Sequence, residues 1–204
     1  RGESDRIIVI GAHMDHMGIE NGRVMNGADD NASGTAAVLE LAEAFGTFPS
    51  SQKPPCTIVF VLFNAEEMGL IGSKYFVKNF ADMDKVELMI NLDMVGRLAE
   101  FNPEDPDFVP HDKPELNVYV GNQDMPFLGY GLQGSMGFIF KRISFKFVPN
   151  YITKIGGRSD HAPFYKEGIS VVFLHTGLHA DYHEYTDDSD KINYKGLELS
   201  LIHI

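Results

Sequence analysis

Short apolar runs alternate with segments of helical periodicity along most of the chain. Runs such as Ile7-Ile8-Val9-Ile10 have the β-branched composition of strands that are buried on both faces. In segment 33–45, Ala37, Leu41 and Ala44 lie on one stripe, as in a helix with Ser33 near its N-cap. The strands predicted in this way are 7–10, 57–63, 86–92, 118–120, 143–148 and 170–174. The predicted helices are 33–45, 69–80, 125–140, 160–166 and one that begins near Tyr194.

This alternation predicts an α/β fold, a three-layer αβα sandwich with a mixed, mostly parallel central sheet. All 204 residues are expected to form a single domain, because the length is ordinary for one domain and no internal repeat is visible. Segment 100–114 is acidic and holds four prolines, which is typical of a surface insertion. The chain lacks an initiating Met, and segment 197–204 stops within an apolar periodic pattern. We therefore expect a domain cut from a longer protein.

Composition excludes several classes of function. The formal net charge of −12 argues against a nucleic-acid partner, whose phosphates would be repelled. The chain has no signal peptide, no basic run and no apolar stretch of transmembrane length. Cys56 is the single cysteine, so an intrachain disulfide and a metal site built from thiolates are both excluded. A cytosolic protein and a disulfide-free exported protein fit equally well.

Five clusters of acidic residues and histidines suggest a metal site, because most of them follow an apolar run. Ligands in open α/β sheets lie beyond the carboxyl ends of the strands, and four predicted strand ends would deliver these clusters to one rim. Two histidines and several carboxylates are the donors that a pair of divalent metal ions requires. The clusters are His13-Met14-Asp15, Asp29-Asp30-Asn31, Glu66-Glu67, Asn91-Leu92-Asp93-Met94 and Asp181-Tyr182-His183.

Each cluster also has a structural explanation, so the residues alone leave alternatives open. Asp29 and Asp30 would both be favourable at a helix N-terminus, and either carboxylate could bridge two metals. Glu66 and Glu67 could form an acidic first helical turn, or one could ligate a metal while the other takes a proton from water. Spacing does not choose among three histidines near the end of the chain, His175, His179 and His183.

Six motifs follow one another between residues 7 and 192. They are Gly11-Ala12-His13-Met14-Asp15-His16, Gly27-Ala28-Asp29-Asp30-Asn31-Ala32-Ser33-Gly34, Ala65-Glu66-Glu67-Met68-Gly69-Leu70-Ile71-Gly72-Ser73, Asn91-Leu92-Asp93-Met94-Val95-Gly96, Gly157-Arg158-Ser159-Asp160-His161-Ala162-Pro163-Phe164 and Asp181-Tyr182-His183. Taken in this order, they resemble the co-catalytic zinc aminopeptidases of metallopeptidase family twenty-eight. The resemblance covers nearly the whole chain, and the joint set of motifs is highly specific.

The resemblance implies a cofactor of two Zn²⁺ ions and a ligand for each position. Asp30 would bridge both ions, His13 and Asp93 would complete one site, and Glu67 and His183 the other. The peptide bond that follows Asp30 is expected to be cis. His16, by contrast, is expected to have no functional role.

The resemblance also implies roles around the metals. Glu66 would be the general base, and Asp15 would accept a hydrogen bond from the histidine of the first site and fix its orientation. Tyr182 would stabilise the oxyanion, since the loop before the Ser-Asp-His motif contains no tyrosine. Arg158 and Asp160 would bind substrate.

The activity implied is hydrolysis of the N-terminal peptide bond of a peptide, through a water shared by the two zinc ions. Two other functions share the fold: a glutaminyl cyclase with a single zinc, and a metal-free peptidase-like binding domain. The expected partner is a peptide with a free N-terminus. By analogy with bacterial relatives, a periplasmic or secreted location is expected.

Overall fold

A computed structural model describes residues 1–49, 51, 53–97, 115–121, 144–149 and 158–201. The strands are β1 (Ile7–His13), β2 (Ile19–Glu20), β3 (Arg23–Val24), β4 (Thr57–Phe63), β5 (Val86–Leu92), β6 (Glu115–Gly121), β7 (Ser144–Pro149) and β8 (Ser170–His175). The α-helices are α1 (Gly34–Gly46), α2 (Ile71–Asn79), α3 (His161–Lys166) and α4 (Tyr194–Leu201). Short helical turns lie at Ala28–Ser33, Met83–Lys85 and Ser189–Lys191.

Six of these strands form one sheet in the order β4-β1-β5-β8-β6-β7. Neighbouring strands are parallel, except that β6 runs antiparallel to β8. In register, Ile10 of β1 lies between Phe60 of β4 and Ile90 of β5. The predicted α/β class with a mixed, mostly parallel sheet is therefore confirmed.

Alternate residues of the strands pack on opposite faces of the sheet, which explains the continuous apolar runs. On one face, Ile10 and Ala12 of β1 pack with Val38 and Leu41 of α1. On the other face, Val9 packs in a cluster that includes residues of α2 and α3, among them Phe76 and Phe164. Helices on both faces give the three-layer αβα arrangement.

The structure corrects several local expectations. An antiparallel hairpin, β2 and β3, turns at Asn21 and Gly22, both with positive φ (50° and 77°). The Asn-Gly pair is a standard signal for such a turn, but strands of two residues are too short to show a pattern. Ser33 is the N-cap residue of α1, as expected, but its side chain makes no cap hydrogen bond; its hydroxyl donates to Asp29 O at 2.8 Å instead.

Two predicted segments, the insertion at 100–114 and the helix at 125–140, lie outside the described residues. The other predicted strands and helices occur within a few residues of their expected bounds. Among the described helices, none has the length and apolar character needed to cross a membrane.

Phe164 of α3 provides a test of the packing on the second face. Its side chain has no exposed surface, and its ring lies 6.1 Å from that of Phe63 and 5.9 Å from that of Phe76. Phe164→Ala should lower the free energy of unfolding in urea by about 3–5 kcal/mol, because it leaves a cavity. Tyr75→Ala, at a side chain that is 69% exposed, should change it by less than about 0.5 kcal/mol. Similar losses for both variants would contradict this packing.

Candidate metal centre

The carboxyl ends of four neighbouring strands, β4, β1, β5 and β8, lie at one edge of the sheet because these strands are mutually parallel. His13 is the last residue of β1, and Asp93 directly follows β5. Glu66 and Glu67 come just after β4, and His183 lies in the segment after β8. The predicted ligands are thus brought to one rim by the topology of the sheet.

The first donor group consists of His13, Asp30 and Asp93. His13 Nε2 lies 3.3 Å from Asp30 Oδ1 and 3.4 Å from Asp93 Oδ1. All three side chains are buried. His13 Nδ1 lies 3.0 Å from the carbonyl oxygen of Asp15, and a carbonyl can only accept, so Nδ1 carries the hydrogen. When the ring is neutral, as a metal ligand must be, Nε2 therefore turns its lone pair toward the space between the two carboxylates.

The second donor group consists of Asp30, Glu67 and His183. His183 Nε2 lies 3.2 Å from Asp30 Oδ2 and 3.4 Å from Glu67 Oε2. Asp30 thus turns one carboxylate oxygen toward each histidine. That is the arrangement of a bridging carboxylate between two metal positions.

These distances fit zinc. Zinc binds nitrogen and oxygen donors at about 2.0–2.2 Å, and tetrahedral geometry then separates neighbouring donors by about 3.3–3.6 Å. The four N···O distances in the two groups, from 3.2 to 3.4 Å, lie near the lower end of this range. Within the described part of the chain, each group supplies three donors, the number that catalytic rather than structural zinc sites use.

The charge of the rim also favours cations. Although burial alone would lower it, contacts with Asp30 and Asp93 raise the pKa of His13 to about 12. Burial would raise the pKa of Asp30, but His13 and His183 hold it well below its usual range. Without metal, the buried carboxylates therefore depend on protonated histidines for compensating charge. A divalent cation can take over that role.

The Glu66 carboxylate lies beside the donors but, unlike Glu67, is not a member of either donor group. Donor atoms of His13, Glu66 and Glu67 all lie within 4.8 Å of one another. Glu66 is partly buried, and burial raises the pKa of its carboxyl group to about 8 in the absence of metal. A carboxyl group whose pKa is near neutrality can both accept and return a proton.

The structure corrects the role expected for Asp15. Its carboxylate lies 3.9 Å from His13 Nδ1, beyond hydrogen-bonding distance, and the ring contacts the Asp15 main-chain carbonyl instead. The carboxylate accepts hydrogen bonds from the main-chain amides of Glu66 (3.0 Å) and Glu67 (3.2 Å). Because the chain turns after β1, Asp15 fixes the turn that carries the two glutamates.

The loop before α1 shows which of the two adjacent aspartates, Asp29 or Asp30, faces the donor groups. Asp29 points away from the rim: its Oδ1 accepts a hydrogen bond from Gly96 N (2.7 Å), and its Oδ2 lies 3.1 Å from His179 Nε2. The peptide bond between Asp30 and Asn31 is cis, as expected. Asn31 donates to Leu92 O (3.0 Å), which ties this loop to the end of β5.

Asp93 is held by residues that the sequence analysis did not single out for this purpose. Ser159 Oγ donates to Asp93 Oδ2 at 2.7 Å, while Asn91 Nδ2 donates to Ser159 Oγ at 2.7 Å. Asp93 Oδ1 is then free to face His13. The Asn-Leu-Asp and Arg-Ser-Asp motifs contained these residues, but nothing in the sequence indicated that the two motifs meet.

His16 was expected to have no role, yet it lies beside the second donor group. Its Nδ1 lies 2.9 Å from Glu67 Oε1 and 4.0 Å from Asp30 Oδ2. Glu67 thus contacts His16 through one carboxylate oxygen and His183 through the other. The signal that could have identified His16 is its position three residues after His13, just past the end of β1.

The other two candidate histidines near the end of the chain, His175 and His179, contact residues outside the donor groups. His175 Nδ1 accepts a hydrogen bond from Gly177 N (2.6 Å), and His179 contacts Asp29. Tyr182 stacks on the ring of His183 at 3.9 Å and remains partly exposed. Burial, together with nearby carboxylates such as Asp30, raises the pKa of the Tyr182 phenol, which therefore stays protonated at neutral pH.

Two residues were predicted to contact substrate, and the structure separates them. Arg158 is exposed, and its contact with substrate stays a prediction. Asp160 has no exposed surface, which argues against the direct contact predicted for it. Ser73 lies close enough to lower the Asp160 pKa, but its hydroxyl donates to Leu70 O at 3.4 Å. Among the described residues, neither Asp160 oxygen has a hydrogen-bond partner of ordinary geometry.

Comparison with known proteins confirms the resemblance. The model of Peptidase family M28 matches residues 1–200, and the chain belongs to this family. Leupeptin-inactivating enzyme 1 of Streptomyces exfoliatus is 35% identical over 89% of this chain, and aminopeptidase YwaD of Bacillus subtilis is 30% identical over 80%. The aligned regions are 34% and 30% of those proteins, so the chain spans about a third of the length of these relatives.

A solved structure extends the similarity to the fold. A zinc aminopeptidase from Bacillus subtilis superposes on 98% of this chain and 45% of its own, with a TM-score of 0.68 and 26% identity.

Asp160 generates a prediction about stability and pH. Burial raises its pKa from 3.8 to about 6, so the folded protein binds the proton more tightly than the unfolded chain does. Stability is therefore lost as the pH rises from about 4 through about 6, by on the order of 2–3 kcal/mol. Asp160→Asn should remove this loss in the metal-free protein. Its free energy of unfolding should exceed that of the wild type at pH 7 and match it at pH 4.

Urea unfolding with a chelator present, at both pH values, checks this expectation. Asp5→Asn, at an exposed carboxylate, is the matched control and should change the free energy by less than about 0.5 kcal/mol. An Asp160→Asn variant that is less stable than the wild type at pH 7 would show that the carboxylate is favourable where it lies.

Proposed function

We propose that this chain is the catalytic region of a zinc-dependent aminopeptidase that uses two zinc ions. The observation that carries the proposal is the pair of donor groups that share Asp30, with Glu66 beside them. Membership of Peptidase family M28 and the relatives named as aminopeptidases support it. The zinc in the name of the Bacillus subtilis structure supports the choice of metal.

In this proposal, the first donor group holds one zinc ion and the second donor group holds the other. The bound ions would lower the pKa of a water molecule toward about 7 and polarise the carbonyl of the scissile bond. The protein supplies the orientation of the donors. Three residues outside the two donor groups hold the ligand-bearing segments in place: Asp15, Ser159 and His16.

Glu66 acts as the general base and then as the general acid. Its carboxylate takes a proton from the attacking water and returns it to the leaving amine. Because Glu66 takes part in none of the four histidine contacts that define the two groups, its carboxylate is free to exchange protons. The Asp15 carboxylate holds the Glu66 main chain and keeps the base in position.

Tyr182 donates its hydroxyl hydrogen to the oxyanion that develops on the carbonyl oxygen. Its raised pKa keeps that hydrogen in place at neutral pH, and its stacking on His183 places it at the rim. The carboxylates of the rim attract the protonated α-amine of a peptide. This attraction favours cleavage at the N-terminus.

The experiment compares hydrolysis of leucyl-p-nitroanilide with that of its N-acetylated form. We expect release of nitroaniline from the free amine only, with loss of activity in chelator and recovery on adding zinc. Glu66→Gln should lower turnover by about 10²–10⁴-fold while zinc content stays the same, because a proton acceptor is lost and no ligand is. Glu40→Gln, at an exposed position of α1, should behave as the wild type.

Other outcomes would overturn parts of the proposal. Equal cleavage of the acetylated substrate would exclude an aminopeptidase. One zinc per chain, with cyclisation of glutaminyl peptides and no hydrolysis, would identify a glutaminyl cyclase. Neither metal nor turnover after zinc addition would identify a binding domain, and loss of zinc in Glu66→Gln would make Glu66 a ligand.

A further inference from the structure

A buried arginine lies behind the metal centre, outside both donor groups. Arg97 follows the Asn-Leu-Asp-Met-Val-Gly motif, and only 5% of its surface is exposed. Its Nη1 donates to Asp181 Oδ2 and its Nη2 to Asp187 Oδ1, each at 2.6 Å. One guanidinium group therefore joins two carboxylates that lie six residues apart in the chain.

These two carboxylates are at the ends of the turn that carries His183. Asp181 precedes His183 by two residues and Asp187 follows it by four. Within the turn, Glu184 N donates to Asp181 O, and Asp187 N donates to Glu184 O. His183 itself has a positive φ of 57°, a conformation that its surroundings must maintain. Arg97 thus holds both ends of the segment that presents this ligand.

Asp187 also contacts the loop of the bridging ligand. Its Oδ2 accepts hydrogen bonds from the main-chain amides of Asp29 (2.8 Å) and Asp30 (3.0 Å), while its carbonyl accepts one from Ala28 N (3.0 Å). The side chain of Asp187 is buried and so is that of Arg97. The guanidinium group is therefore linked, through one carboxylate, to the main chain of Asp30.

The two ion pairs of Arg97, with Asp181 and Asp187, compensate its buried charge. A buried arginine without carboxylate partners would be strongly unfavourable, so Arg97 and its partners stay together. On the outer side, Asp181 Oδ1 accepts from Thr186 Oγ1 and from Lys191 Nζ, each at 2.6 Å. Asp181 would thus keep part of its support without Arg97, whereas Asp187 would lose its charged partner among the described residues.

We infer that Arg97 is a positioning residue that sets the distance between His183 and Asp30, and so controls zinc affinity at the second donor group. The inference rests on the proposed function, since it presumes that this group binds zinc. Its effect is larger at the second donor group, although Asp30 belongs to both groups. His13 and Asp93 are held by β1, β5 and Ser159, whereas His183 lies on a turn that depends on the Arg97 ion pairs.

The planar guanidinium group is essential to this arrangement. Arginine presents several N–H donors in a fixed fork and reaches two carboxylates at once. Lysine offers a single ammonium on a flexible chain. Arg97→Lys should therefore restore only part of what Arg97→Met loses.

The test measures both zinc dissociation constants by competition with a chelator of known affinity. His183→Ala identifies which constant belongs to the second donor group. In Arg97→Met that constant should rise about 10–100-fold, the range typical for loss of a residue that orients a metal ligand. The constant of the first donor group should change less, and Arg97→Lys should fall between Arg97→Met and the wild type.

Controls separate this role from a general loss of stability. Arg6→Met removes the exposed ion pair with Glu87 (3.3 Å) and should leave both constants unchanged. If Arg97→Met does not fold, Asp181→Ala provides the test. It removes one arm of the bridge and leaves Asp187 paired, so the zinc constant of the second donor group should rise by a smaller factor than in Arg97→Met.

Three outcomes would overturn the inference. A folded Arg97→Met protein with two unchanged zinc constants, or with both weakened equally, would make the arginine merely structural while the proposed function stands. A wild-type protein that binds fewer than two zinc ions would overturn both the inference about Arg97 and the proposed function.

Discussion

The position of the Asp30 carboxylate between two histidines is the constraint on which the rest of the site depends. One oxygen lies 3.3 Å from His13 and the other 3.2 Å from His183. A carboxylate can serve two histidines in this way only if its main chain is fixed from several sides. Asp187 holds the amide of Asp30, Asn31 ties the loop to β5, and Asp29 binds Gly96.

The parallel sheet explains how one loop can meet so many partners. Four neighbouring strands end at the same edge, so segments far apart in the chain converge within a few ångströms. Two of the donor segments are held by residues from elsewhere in the chain: Asp93 by Ser159, and the Glu66–Glu67 turn by Asp15. Buried carboxylates in this number are unfavourable without cations, so a bound cation would stabilise the rim.

Much of the fold was predictable because its central strands are buried on both faces. Runs such as the one in β1 are continuous, apolar and almost fully buried, and helices with one apolar stripe lie between the strands. The hairpin of β2 and β3 was not predicted because its strands have two residues each. The sequence could predict that His13 and Asp93 lie close together because each is at the carboxyl end of a predicted strand.

What the sequence did not reveal is which partner each side chain has. Spacing put Asp15 beside His13, but the chain turns after β1, and the carboxylate reaches the Glu66 amide instead. Long-range pairs such as Arg97 with Asp187 leave no periodic signal, since 90 residues separate them. The choice of His183 over His175 and His179 came from the family resemblance, and geometry agrees with it because the other two contact Gly177 and Asp29.

Anomalous diffraction at the zinc edge from a zinc-loaded crystal would show whether two metal ions share Asp30. Two separate peaks are expected, one against His13 and Asp93 and the other against Glu67 and His183, with Asp30 contacting both. A single peak, or a second zinc that does not contact Asp30, would contradict this expectation.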